Sequence, residues 1–293
     1  MSVSVTRLQP DFVAEIGGLD LRRGTDDETF DTVLAAFHEH PVLVFHDQNI
    51  GDAQQIAFSR RFGVLERNVT DGLGGPPEIA NLSNVEADGT LAVAGGDRDK
   101  FLSGNQNWHS DSSFKSVPAM ASILSGREVP PEGGGTEFTD MRAAWDALPA
   151  DRQAELERRT AEHSFLYSQG KISVDLMSEE EVAAVPPVHH PLVRIHPETG
   201  RKALYIGRHA SHILGRPVAD GRALLAELLA EATRPELVYR HRWRQHDLVM
   251  WDNRMVLHRG RAWDGSRYAR VMHRTTIAGR AEDNPWIVED KVA

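Results

Sequence analysis

The chain has 293 residues, 40% of them hydrophobic and 26% charged, the balance of a globular protein long enough for one large domain. A net charge of −10 disfavours nucleic acid or an anionic membrane surface as a partner. The absence of cysteine excludes disulfides, thiolate metal sites and cysteine nucleophiles, so any metal must be held by nitrogen and oxygen.

The N-terminal "MSVSVTRLQPDF" lacks the apolar centre of a signal peptide, and no later apolar run is long enough to span a bilayer. A cytoplasmic protein is expected. Residues 12–23 read as a strand, a turn and a second short strand. Phe30, Val33, Leu34 and Phe37 recur at helical spacing behind acidic residues suited to a helix start. "PVLVFHD" (41–47) is a buried-type strand, and 51–63 is a second helix with Gly63 as its C-cap. Residues 68–106 are loop-rich, punctuated by "DGLGGPP", "EADG" and "GGDRDK" around short strands such as 79–82, and form a candidate lid. Residues 119–130 read as a strand ending at two prolines, followed by "GGGTEFTD". "MRAAWDALPADRQAELERR" is helical and split at Pro149. The acidic triplet 179–181 reads as a solvated helix start. "HHPLVRIHPETGRKALYIG" is a hairpin around a Pro-Glu-Thr-Gly turn, and 220–233 is a helix with a leucine stripe. "HDLVMWDNRMVLHRG" and "RYARVMHRTTIAG" read as the last two core strands. Strands dominate the second half, with helices early and in between. The pattern predicts a mainly β barrel or sandwich with flanking helices, in a single domain over residues 1–293.

The chemistry centres on "NWHSDSSF". On a regular strand His109 and Asp111 share a face, and burying an imidazole beside a carboxylate is costly unless something pairs them. A metal would do so; a hydrogen-bonded strand pair is the ordinary alternative. His258 stands where a strand emerges into "RGRAWDGSR", 147 residues beyond Asp111. Two histidines and one carboxylate, with no thiolate, match the facial triad of non-haem Fe(II) oxygenases, which leaves coordination positions open. Arg270, 12 residues after His258, could aim its guanidinium at a carboxylate near the metal, and Thr136, after three glycines, offers a hydroxyl. A rival H-x-E, His196-Pro-Glu198, lies in a turn by composition.

"NWHSD", "GGGT", "WDNR…LH" and "RYARVMHRTT", in this order, resemble the taurine/2,4-dichlorophenoxyacetate dioxygenase family of Fe(II)- and 2-oxoglutarate-dependent enzymes. "IGGLDLR" and "FHEHPVLVFHDQNIGDAQQIAFSRRFG" resemble that family's N-terminus, so the resemblance covers nearly the whole chain. "DMRAAWDAL", "HSFLYSQGK" and "HPETGRKALYIGRHA" are most similar to the aryloxyalkanoate dioxygenase branch. The resemblance implies a double-stranded β-helix (jelly-roll, cupin-like) core. It implies Fe(II) on His109, Asp111 and His258, and 2-oxoglutarate at the iron with its distal carboxylate on Arg270 and Thr136, bordered by Trp251. The "R-x-MHR" match favours Arg270 over Arg267. With O2, a C–H bond is hydroxylated while succinate and CO2 leave. Where that carbon bears an ether oxygen, the product collapses to a phenol and a keto or aldehyde acid.

The implied substrate is a small anionic organic acid. Arg274, four residues beyond Arg270, shares its face on a regular strand; Asn105, four before His109, matches a substrate-lining position of the taurine branch, and Ser112, next to Asp111, is a further candidate. Tyr167, His209 and His212 are further candidates for the pocket wall. Aryloxyalkanoate cleavage leads; oxidation of taurine, an alkylsulfonate or an alkyl sulfate comes second. A non-catalytic β-barrel binding protein and a zinc hydrolase on the same three ligands are the other classes; a hydrolase would need neither Arg270 nor Thr136. A homo-oligomer is expected.

Overall fold

The structure, a computed structural model, describes residues 3–67, 75–170 and 185–285. Its main wall is a seven-stranded sheet of β1 (Ser4–Gln9), β2 (Val13–Gly17), β3 (Val42–Phe45), β4 (Ala80–Ser83), β5 (Ala119–Glu128), β13 (Leu248–Asp252) and β15 (Val271–Ala278). The spatial order is β1-β2-β3-β13-β5-β15-β4, antiparallel except between β2 and β3. Facing it is a three-stranded sheet with β6 (Thr136–Asp140) between β12 (Val238–His241) and β14 (Val256–Gly260). A further three-stranded sheet, β11-β7-β8 (Ala210–Ile213, Thr160–His163, Val188–Pro191), and the hairpin of β9 (Val193–Ile195) and β10 (Lys202–Leu204) extend that side. This is the jelly-roll arrangement, two antiparallel layers closed over one interior.

Period-two alternation explains why the middle strands of the main sheet are apolar throughout. Leu43, Phe45, Ile123, Leu248, Met250 and Ile277 point outward, against Val33 and Phe37 of helix α1 (Asp27–Glu39) and Ile56 and Phe58 of α2 (Asp52–Arg60). Their neighbours Val42, Val44, Leu124, Val249, Trp251 and Met272 point inward, against Phe138, Val256 and Leu257 of the facing sheet. A sheet covered on both faces reads as a continuous hydrophobic run. The inward set of β15 continues from Met272 to Arg274, which places a cation inside the roll.

The remaining helices are α3 (Asp97–Gly104), α4 (Met141–Asp146), α5 (Ala150–Leu156), α6 (Phe165–Gly170) and α7 (Val218–Ala232). α4 and α5 are split at Pro149, and α7 lays Leu224, Leu225 and Leu228 on the interior.

Three local expectations need correction, and one strand was not anticipated. The second short strand within 12–23 is a 3-10 turn, Leu21–Arg23, capped by the Asp20 side chain. β1, at the sheet edge, carries no apolar signal because its residues are largely exposed. α2 ends at Arg60 with Arg61 as C-cap; Gly63 instead has φ 154°, and a Cβ there would lie 3.2 Å from Ile277 Cγ2, so it serves close passage over β15. "HDLVMWDNRMVLHRG" is two strands on opposite layers, β13 and β14, joined by a turn over residues 253–255. The loop-rich stretch 68–106 contains α3; its residues 68–74, and the acidic triplet 179–181, lie outside the described residues. Among the described residues no helix is long and apolar enough to cross a membrane.

Candidate active site

His109 and His258 face each other across an isolated antiparallel bridge, with paired backbone hydrogen bonds of 3.0 and 2.9 Å. After His109 the chain turns, and Ser112 takes φ 55°. The bend, rather than strand alternation, brings the Asp111 carboxylate back to the histidines. His109 Nε2 lies 3.8 Å from Asp111 Oδ1, and His258 Nε2 lies 3.7 Å from Asp111 Oδ2. These are the metal-competent ligand atoms among the described residues, all within 4.8 Å of one another.

The protonation states suit a cation. Burial pushes the His109 imidazole down to about 4 and the His258 imidazole well below its ordinary value, so both are neutral near pH 7. His109 Nδ1 donates to the Asn107 carbonyl at 2.7 Å, which leaves its lone pair on Nε2. Among the described residues no group donates a hydrogen bond to either Nε2. Burial works against the Asp111 charge, but Arg274 at 2.6 Å, then His258, His109 and Ser122, hold the carboxyl well below the usual carboxylate range. Two neutral imidazoles and one carboxylate therefore converge on one point, a donor set that fits a divalent first-row metal.

The cavity beside this triad is lined by Asn105, Thr136, Trp251, Arg270 and Arg274, together with Leu82, Leu102, Leu124, Gln106, Arg261 and Trp263. Arg270 is buried and donates from Nε to the Gly134 carbonyl at 3.0 Å, with its guanidinium 5.3 Å from the Trp263 ring centre. Gly134 has φ 63°, and a Cβ there would sit 3.2 Å from Arg270 Cδ and Nε, so glycine permits this approach. No carboxylate among the described residues lies within ion-pair distance of Arg270, and burial alone lowers its pKa to about 10. Arg267 is exposed and lies over the Tyr268 ring, away from the cavity. Thr136 Oγ1 accepts from Trp243 Nε1 at 2.9 Å, which frees its own hydroxyl proton for a ligand.

Arg274 spends Nη1 on Asp111, and its buried Nε has no partner among the described residues. Asn105, the C-cap of α3, lines the cavity, and Trp251 packs tilted against His258 with 4.5 Å between ring centres. Ser112 does not line it: its hydroxyl donates to Glu66 at 2.8 Å. Tyr167 lies in a separate groove under the Arg222 guanidinium, His209 packs on Phe114, and His212 contacts Ser211. Leu82, Leu102, Gln106, Arg261 and Trp263 line the same cavity and were missed by sequence reasoning.

The rival His196–Glu198 pair is consumed by ion pairing. His196 Nδ1 accepts from the Thr199 amide at 3.2 Å, so Nε2–H donates to Asp252 at 3.0 Å. Asp252 holds Arg254 at 2.7 Å, and Arg254 holds Glu198 at 3.0 Å.

A family model described as "taurine catabolism dioxygenase TauD, TfdA family" matches residues 4–276. The chain belongs to that family. It is accordingly an oxidoreductase. An alpha-ketoglutarate-dependent 2,4-dichlorophenoxyacetate dioxygenase from Cupriavidus pinatubonensis is 48% identical, covering 94% of this chain and 98% of the relative. An (S)-phenoxypropionate/alpha-ketoglutarate-dioxygenase from Sphingobium herbicidovorans is 41% identical over 94% of each chain. An alkylsulfatase from Acinetobacter baylyi is 31% identical, covering 91% of this chain and 82% of its own. The crystal structure of AAD-2 in complex with Mn(II) and N-oxalylglycine superposes with a TM-score of 0.88 at 44% identity, covering 95% of this chain and 98% of that one.

Proposed function

We propose that this family member is an Fe(II)- and 2-oxoglutarate-dependent dioxygenase that hydroxylates the ether-bearing carbon of an aryloxyalkanoate. The products are succinate, CO2, a phenol and a keto or aldehyde acid. One observation carries this: a single cavity joins a His-Asp-His donor set to two inward arginines, Arg270 and Arg274, over apolar walls.

His109, Asp111 and His258 would hold the metal, which together with 2-oxoglutarate and O2 supplies the oxidising chemistry. Arg270 binds the distal carboxylate of 2-oxoglutarate, assisted by the free proton of Thr136. A buried guanidinium with no acid partner costs stability unless a ligand anion completes it. Arg274 grips the substrate carboxylate through its unpartnered nitrogen, and its bond to Asp111 ties the grip to the metal ligand. Leu82, Leu102 and Trp263 offer the aryl ring a dry surface and exclude water from the reacting carbon.

The walls bear on the alternatives. Taurine carries an ammonium, and no carboxylate stands among the described residues lining the cavity. An alkyl sulfate suits the same walls and the same arginine; the 48% identity to a dichlorophenoxyacetate enzyme against 31% to an alkylsulfatase ranks it second. A zinc hydrolase would need neither Arg270 nor Thr136, and an inert binding barrel would gain nothing from keeping the full His-Asp-His donor set. The cytoplasm, which supplies 2-oxoglutarate and reduced iron, is the compartment this chemistry calls for. A homo-oligomer remains part of the proposal, to be read by light scattering.

The test is Fe(II) and 2-oxoglutarate added without oxygen, watching for the visible charge-transfer band. Phenoxyacetate, an alkyl sulfate and taurine are then assayed side by side for succinate and product. Preference for the alkyl sulfate would overturn the substrate class. Arg274→Gln is expected to weaken the accepted acid by 10-fold or more, on the order of one charge-assisted hydrogen bond. It should also uncouple succinate from product, because the C–H bond is no longer held in place. Wild-type affinity and coupling in that variant would mean that the anion is gripped elsewhere.

A further inference from the structure

Ser122 on β5 and Asn253 in the turn after β13 take no part in the chemistry above, yet they close a ring of hydrogen bonds on Asp111. Ser122 is fully buried and Asn253 is 1% exposed. The two strands are paired with Trp251 opposite Ser122, so the end of β13 delivers Asn253 next to the serine.

Every proton in the ring is fixed by its neighbours. Asn253 Oδ1 receives two donors, the Asp111 amide at 3.1 Å and Trp251 Nε1 at 3.0 Å. Neither donor can be reversed, so that atom is the amide oxygen and the other is the NH2 group. Asn253 Nδ2 then donates to Ser122 Oγ at 2.9 Å. The serine has one proton left to place, and it goes to Asp111 Oδ2 at 2.7 Å. An ionised carboxylate can only accept, so the direction is settled at both ends. Ser110 clamps the turn from outside, its hydroxyl donating to the Asn253 carbonyl at 2.6 Å.

The ring opposes a second pull on the same carboxylate. Arg274 holds Oδ1 at 2.6 Å from the pocket side. Without the Ser122 proton on Oδ2, the arginine would be the only side chain among the described residues hydrogen-bonded to the Asp111 carboxylate, free to swing it away from His258. We propose that Ser122, oriented by Asn253, is the positioning residue that keeps Asp111 in its metal-binding rotamer, and that it sets the metal affinity of the site. This rests on the assignment of His109, Asp111 and His258 as metal ligands.

The experiment is equilibrium binding of Mn(II) to the metal-free protein, followed by the EPR signal of the free ion. Partners behind a metal ligand typically contribute about 10–100-fold in affinity. Ser122→Ala is therefore expected to raise the Mn(II) dissociation constant by about 10–100-fold, while the half-saturation for 2-oxoglutarate at saturating metal stays near wild type. A loosened pocket would move both, and that result would overturn a positioning role. Asp111→Ala is run alongside. If it loses Mn(II) while Ser122→Ala binds as wild type, the role of Ser122 falls and the ligand set stands; if both bind as wild type, the ligand set falls. Should Ser122→Ala not fold, Ser122→Cys keeps the shape with a weak donor. Mn(II) prefers oxygen to thiolate ligands, so the new sulfur does not compensate. Wild-type Mn(II) affinity in that variant overturns the proposal.

Discussion

Asp111→Ala is expected to abolish substrate-dependent succinate production and to weaken metal binding by more than the roughly 10–100-fold typical of a partner behind a ligand. The reason lies in the charge arrangement. His109 and His258 are neutral, so Asp111 is the sole anion of the donor set. Its removal leaves Arg274 as the nearest charge, and a guanidinium facing an empty carboxylate site repels a divalent ion instead of being neutralised by the ligand. Asp111→Asn separates charge from shape. It can still accept from Ser122 and still sits under the Asn253 amide oxygen, so the local backbone should hold, yet the anion is gone. Both variants should therefore lose turnover, and Asp111→Asn should keep a melting temperature nearer to wild type. Mn(II) titration and succinate quantification read the two effects. Succinate production near the wild-type rate in either variant would remove Asp111 from the metal site.

The residues proposed to carry chemistry were legible because their types are scarce and their combination is specific. A chain without cysteine that spaces H-x-D and a distant histidine around strands leaves few readings, and the family resemblance adds Arg270 as the proposed carboxylate partner. The outer shape was legible for a different reason: apolar alternation and proline breaks are local, so β3, β5, the α4–α5 split and the leucine face of α7 stand out. What stayed hidden is set by contacts far apart in sequence. α3 has only Phe101 and Leu102 as large apolar residues and shows no helical period. It is fixed from outside, by Arg208 Nη1 on the Gly104 carbonyl and the Gly260 amide on the Asn105 carbonyl. With α3 unread, Leu102 and Gln106 could not be placed on the cavity wall. Ser112 illustrates the opposite error. Its neighbour Asp111 is in the site, but the positive φ at Ser112 turns its side chain toward Glu66. The Ser122–Asn253 bond joins residues 131 apart and has no local signature at all.

Arg270→Ala is expected to raise the half-saturation for 2-oxoglutarate by at least about 30-fold, since truncating one partner of a buried charge pair costs about 2–5 kcal/mol. The iron requirement should change little, because Arg270 touches none of the three ligands. A second signature distinguishes this residue from an ordinary structural arginine. Among the described residues Arg270 has one carbonyl partner on Nε and no acid partner, and burial already lowers its pKa to about 10. Such a group destabilises the empty protein and is compensated only by the ligand, so Arg270→Ala or Arg270→Met should melt no lower than wild type without 2-oxoglutarate. Added 2-oxoglutarate should raise the wild-type melting temperature by linkage and leave the variants nearly unmoved. Arg270→Lys should fall between, keeping the charge and losing the fork that matches a carboxylate. Titration of 2-oxoglutarate at saturating iron, together with thermal melts at several concentrations, decides the matter. An unchanged half-saturation would transfer the carboxylate to Arg261, the other basic residue on the same cavity wall beside Arg274, and would leave the burial of Arg270 without a function.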